Sequence, residues 1–166
     1  MSFFNCTICG DSHKLVTLLE FPQPEIISKI TSGEVDLSLD VVSKNGFLIN
    51  RETIIYQSLL SLPIIDFEDN FDLLIWVKIE RKEYLPKLEK LRESDFQKLN
   101  IKAVLNDPIP FFTGTDNLKV EVEVDAEEEE HLFSIVKIEK DIKLNFFLRN
   151  GISKKELAII LSPLYH

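Results

Sequence analysis

Cys6, Cys9 and His13 stand together in the opening run CTICGDSH. Two intervening residues let both sulfurs face one point while backbone N–H groups of the turn aim at them, and Gly10 tolerates the positive φ that such a turn commonly needs. His13 follows closely enough for an imidazole nitrogen to close a third vertex. Thiolate with imidazole is donor chemistry for zinc rather than for a hard ion such as magnesium. The expectation is a zinc knuckle on Cys6, Cys9 and His13, structural in role. Two plainer readings compete with it. Two buried thiols beside a surface histidine give the same pattern. A redox pair also uses C-x2-C, but after a strand of a βαβ unit and at the start of a helix, whereas five residues precede Cys6 here.

A structural zinc takes four protein ligands, and the chain has two Cys in all. The fourth donor must be Asp11, His131, His166, a distant carboxylate or water. A vertex held by water is what a catalytic zinc keeps, so the alternative is a zinc-dependent, hydrolase-like enzyme. Against catalysis, the sequence has no H-E-x-x-H, G-x-S-x-G or phosphate-binding glycine loop. His131, behind four Glu, reads as a solvated residue at a strand start, and His166, last in the sequence, as frayed. Asp66, Glu68 and Asp69 lack the spacing of a calcium loop and read as a solvated turn. Trp76 reads as core.

The elements that position these residues follow from hydrophobic periodicity. A short helix is expected from Pro24 to Ile30. GEVDLSLDVV alternates, with Val35, Leu37 and Leu39 on one side, and Lys44-Asn45-Gly46 forms a hairpin turn into FLIN. TIIYQSLLSLPII reads as a strand, and FDLLIWVKIE as a central strand buried on both faces. KEYLPKLEKLRE has helical spacing at Tyr84, Leu88 and Leu91, which puts Pro86 in the first turn. In SDFQKLNIKAVLND, Ser94 and Gln97 form a capping box or IKAVL a strand. LKVEVEVD turns Val120, Val122 and Val124 inward, AEEEE is a solvated loop, and HLFSIVKIE is a strand. Asn150-Gly151 stops one helix and Ser153 to Glu156 caps another, which carries Leu157, Ile160 and Leu161 on one face. Helices do not alternate strictly with strands. The expected fold is therefore α+β, a mostly antiparallel sheet of five or six strands with flanking helices and an N-terminal CxxC knuckle, in a single domain over 1–166 with the knuckle at 1–14.

Composition narrows the function classes. Twenty-eight acidic against nineteen basic residues give a net charge of −9, which disfavours nucleic acid and anionic membranes as partners. No apolar run is long enough to span a bilayer, and the N-terminus lacks a basic stretch before an apolar one, so a cytoplasmic protein is expected. The acidic surface favours a basic protein as partner.

CTICGDSH, LLSLPIIDFEDNFDLLIWVKIERKEYLPKL, AVLNDPIP and NFFLRNGISKKE, in that order, resemble a family of uncharacterised bacterial proteins defined only as a domain of unknown function, DUF2199. The resemblance implies the opening C-x2-C-G-x2-H on Cys6, Cys9 and His13. It also implies a third Cys where this chain reads EVDLSLDVV, and an Arg-Gly pair where it has Tyr56 and Gln57. It brings no established activity. Together these readings point to a non-enzymatic protein-interaction domain with a structural zinc knuckle.

Overall fold

The computed structural model describes residues 3–93, 98–125 and 133–166. Five strands form a closed barrel: β6 (Thr53–Pro63), β7 (Asn70–Glu80), β8 (Lys98–Leu105), β9 (Lys119–Asp125) and β10 (Phe133–Ile138). Each pairs antiparallel with the next. In such a meander the first and fifth strands run the same way, so closure must be parallel. It is, with Phe133 of β10 opposite Ser58 of β6. Period-two alternation fills the interior. On β9, Val120, Val122 and Val124 are buried, while Glu121 and Glu123 lie on the other face. Phe71, Leu73, Ile75, Val77 and Ile79 of β7 and Tyr56, Leu60 and Leu62 of β6 join the same core.

The chain is α+β and most pairings are antiparallel, but the expected sheet of five or six strands is an eight-stranded one curled into a barrel. The reason lies in β6 and β7, eleven residues each, long enough to serve different neighbours at their two ends. β3 (Leu18–Glu20) pairs parallel with the start of β7 before β8 takes over. β5 (Gly46–Ile49) pairs with the start of β6 before β10 does, and β4 (Leu39–Ser43) lies outside β5. Closure removes two sheet edges that a flat arrangement would expose.

The hairpin turn at Lys44-Asn45 is where the sequence puts it, joining β4 to β5. The strand of GEVDLSLDVV, however, begins only at Leu39, and Leu37 is exposed. Beyond it, α1 (Glu25–Thr31) follows Pro24 and buries Ile27 and Ile30 against Ile49, Ile55 and Trp76, a second small core on the outer sheet face. The next helix, α2 (Arg81–Glu93), begins directly after β7, where the Arg81 N–H donates to the Glu52 carbonyl at 2.7 Å. Pro86 consequently falls in the second turn rather than the first. Lacking an N–H, it leaves the Lys82 carbonyl without its helical partner. IKAVL is part of β8, while Ser94, Gln97, the AEEEE run and His131 lie outside the described residues.

Two helices close the chain, α3 (Lys143–Asn150) and α4 (Lys154–Leu161), followed by a 3₁₀ turn over Ser162–Tyr165. Gly151 ends α3 at φ +92°, and the Ser153 side chain accepts from the Glu156 N–H at the start of α4. Leu157 and Leu161 are fully buried. Among the described residues no helix is long and apolar enough to cross a membrane.

Candidate metal centre

A separate two-stranded hairpin carries the CxxC turn. β1 (Phe3–Asn5) pairs with β2 (Ser12–Lys14), Phe4 opposite His13, so residues 6 to 11 are the hairpin loop. The Cys6 N–H donates to the Asp11 carbonyl at 2.8 Å, and the Gly10 N–H donates to the Cys6 carbonyl at 3.0 Å. Gly10 sits at φ +79°, the left-handed geometry a residue with a Cβ rarely adopts. Phe4 is buried and anchors the hairpin to the core.

The other half of the centre arrives from the far end of the chain. Ser162 is fully buried; its Oγ accepts from the Thr7 N–H at 2.9 Å and donates to the Ala158 carbonyl. Tyr165 stacks on the His13 ring at 4.7 Å between centroids, and its hydroxyl donates to the Lys14 carbonyl at 2.8 Å. These contacts deliver His166 to the CxxC loop. Its Nε2 lies 3.4 Å from Cys6 Sγ, and His13 Nε2 lies 3.3 Å from Cys9 Sγ.

Cys6, Cys9, His13 and His166 offer donor atoms all within 4.8 Å of one another. A tetrahedral zinc with bonds of about 2.3 Å to sulfur and about 2.0–2.1 Å to nitrogen separates sulfur from nitrogen by roughly 3.6 Å. The two sulfur–nitrogen distances here, 3.4 and 3.3 Å, are close to that figure. Two of the donor–donor distances thus match a tetrahedral edge, and the four donors lie close enough together to bind a metal ion.

The thiols are unequal. At Cys6 burial resists ionisation, yet the backbone N–H groups of Cys9 and Ile8, the nearby Ser162 hydroxyl and His166 outweigh it and bring the pKa from 9.0 to about 5. At Cys9 a backbone hydrogen bond at Asp11 favours the thiolate, but desolvation and the adjacent Cys6 and Asp11 hold its pKa above the ordinary value. Cys6 is buried, while Cys9 is exposed.

The structure therefore gathers the three residues singled out from the sequence and adds His166, for which fraying was expected. Asp11 takes part through its backbone. No sequence spacing announces His166, because it reaches the site only through docking of α4 and the 3₁₀ turn on the hairpin. Asp66, Glu68 and Asp69 are exposed, in a loop between β6 and β7.

A closed barrel carrying a Cys2His2 cluster built from both ends of the chain defines the class. The chain belongs to the family described as uncharacterized protein conserved in bacteria (DUF2199), which matches residues 5–152. Cys6, Cys9 and His13 lie inside the matched segment and His166 beyond it. No curated protein and no solved structure matches the chain.

Proposed function

We propose that this is a non-enzymatic, cytoplasmic protein-interaction domain whose N- and C-terminal segments are clipped together by a structural zinc on Cys6, Cys9, His13 and His166. One observation carries the reading: His166 beside Cys6 supplies the fourth protein donor, and a metal with four protein donors keeps no vertex for water or substrate. The hydrolase-like alternative on Cys6, Cys9 and His13 needs that vertex open. A donor set of two cysteine sulfurs and two imidazoles favours zinc over hard ions such as magnesium. The exposed acids Asp66, Glu68 and Asp69, with the net charge of −9, favour a basic protein as partner.

Elemental analysis of protein purified without added metal is the test. One zinc per chain in the wild type, and none in a Cys6→Ser, Cys9→Ser double variant, is the expected result. Equal zinc in both proteins would overturn it. Zinc-dependent hydrolysis that survives in the intact four-donor protein would return the enzyme reading.

A further inference from the structure

Gln57 and Trp76 are direct cross-strand partners on β6 and β7, and each stands where its strand changes neighbour. β6 pairs with β5 up to Tyr56 and with β10 from Ser58. β7 pairs with β3 up to Leu74 and with β8 from Val77. Strands that part leave a trough beside the residues at the parting. A hollow of about 450 Å³ opens there, lined by Gln57, Trp76 and Phe47, by Glu20 and Phe21 from β3 and its continuation, and by Lys44 and Asn45 from the β4–β5 turn. A second hollow of about 250 Å³ shares Phe21 and Trp76 with it.

The polar groups of the larger hollow are incompletely matched. Gln57 is only 5% exposed; its Nε2 donates to Glu20 Oε1 at 3.2 Å, while its Oε1 accepts from no described residue. Unlike Ser58 Oγ, that oxygen keeps contact with solvent, so it is open to accept from a ligand. Glu20 and Lys44 take part in no ion pair among the described residues. The hollow is thus lined by one carboxylate from β3, one ammonium from the β4–β5 turn, and the rings of Trp76 and Phe47, whose centroids lie 6.1 Å apart.

We propose that this hollow binds a free α-amino acid with an apolar side chain. The ligand's ammonium meets the Glu20 carboxylate and the Gln57 oxygen, its carboxylate meets the Lys44 ammonium and the Asn45 carboxamide, and its side chain lies on Trp76 and Phe47. A neutral apolar ligand would leave both charges unused. A nucleotide would set several negative charges against Glu20 with Lys44 alone to receive them. A zwitterion matches one charge to each. The site is independent of the zinc reading, because neither Glu20 nor Lys44 belongs to the metal cluster.

Trp76 is the only tryptophan in the chain, so its fluorescence reports this hollow directly. The full chain is titrated with L-leucine, with 3-methylbutylamine, which lacks the carboxylate, and with N-acetyl-L-leucine, which lacks the cation. L-Leucine should give a saturable change, and each analogue should bind roughly tenfold more weakly or worse. Glu20→Gln and Lys44→Met, both at exposed positions, should weaken L-leucine by a similar factor. Lys44→Met should also erase the preference for L-leucine over the amine. Unaltered zinc content in both variants separates this site from the metal centre. No saturable change with L-leucine at millimolar concentration, equal affinity for the analogues, or unchanged affinity in both variants would overturn the proposal.

Discussion

His166 Nε2 lies 3.4 Å from Cys6 Sγ although 160 residues separate them. With the proposed metal bound, this contact would make the local three-donor motif a clasp between segments 160 positions apart. A cross-link that closes so long a loop removes much of the freedom of the unfolded chain.

His166→Ala should therefore weaken zinc retention and stability together. Competition with a chromophoric chelator should show affinity lower by roughly tenfold or more, since the metal must replace an imidazole with water. Removing zinc from the wild type should lower Tm by roughly 5–10 °C and leave a folded barrel, because the apolar side chains of β6 to β10 fill its interior without the ion. The same Tm loss on chelation in His166→Ala would show that the tail donor contributes nothing.

Ser162 positions the centre without joining it. Its hydroxyl ties the Thr7 N–H to the Ala158 carbonyl, so the CxxC loop and α4 share one buried oxygen. Ser162→Ala orphans the Thr7 N–H and should cost about 1–3 kcal/mol, read by denaturant unfolding. Ser162→Thr, which keeps the hydroxyl, should restore zinc affinity more than stability, since its extra methyl must fit a fully buried site. Equal zinc affinity in wild type and Ser162→Ala would remove its positioning role.

The unequal thiols set a pH dependence for the metal-free protein. The folded pKa of Cys6 is depressed from 9.0 to about 5, so between those values the unfolded chain holds a proton that the folded one does not. Stability should therefore rise with pH across that window and be lost as pH falls toward 5. Cys9 is shifted the other way: its contribution is present below the ordinary thiol pKa and is lost as pH rises above it. Unfolding of chelated protein across a pH series should show this maximum near the ordinary thiol pKa. Cys6→Ser should flatten the acid side, and an unchanged slope in that variant would assign the dependence elsewhere.

What could be seen in the sequence was what local periodicity encodes. Val120, Val122 and Val124 alternate with acids, and β9 is the result; Ser153 and Glu156 cap α4 as their spacing requires. Barrel closure was not visible, because alternation tells which face of a strand is apolar and not which strand lies beside it. Nor was His166, whose place depends on how α4 docks. Gly46 shows the same boundary within one residue. Asn45-Gly46 marks a turn correctly, yet Gly46 is not among the glycines at positive φ. A Cβ on it would meet the Tyr56 ring at 2.5 Å, and Tyr56 in turn stacks on Phe133 at 4.0 Å. Close approach, not turn geometry, requires glycine there. Gly46→Ala should destabilise by about 1–3 kcal/mol through overpacking, and Tyr56→Leu should relieve most of that cost. Additive losses in the double variant would deny the coupling.

The last prediction concerns charge. Asp66, Glu68 and Asp69 are exposed on the loop after β6, and a net charge of −9 opposes every phosphate contact that nucleic acid would need. Non-specific binding at about 1–100 μM relies on several such contacts, so labelled single- and double-stranded DNA should show no shift at micromolar protein and physiological salt. A basic protein partner should behave oppositely: its association rate should fall steeply as salt rises, because a Debye length of about 8 Å at physiological ionic strength already screens exposed charges. Neutralising the loop as Asp66→Asn, Glu68→Gln and Asp69→Asn should slow association while leaving dissociation nearly unchanged, the signature of steering rather than of contact. A salt-sensitive DNA shift would overturn the first expectation. Partner association indifferent to both salt and the triple change would leave these acids with solubility as their only role.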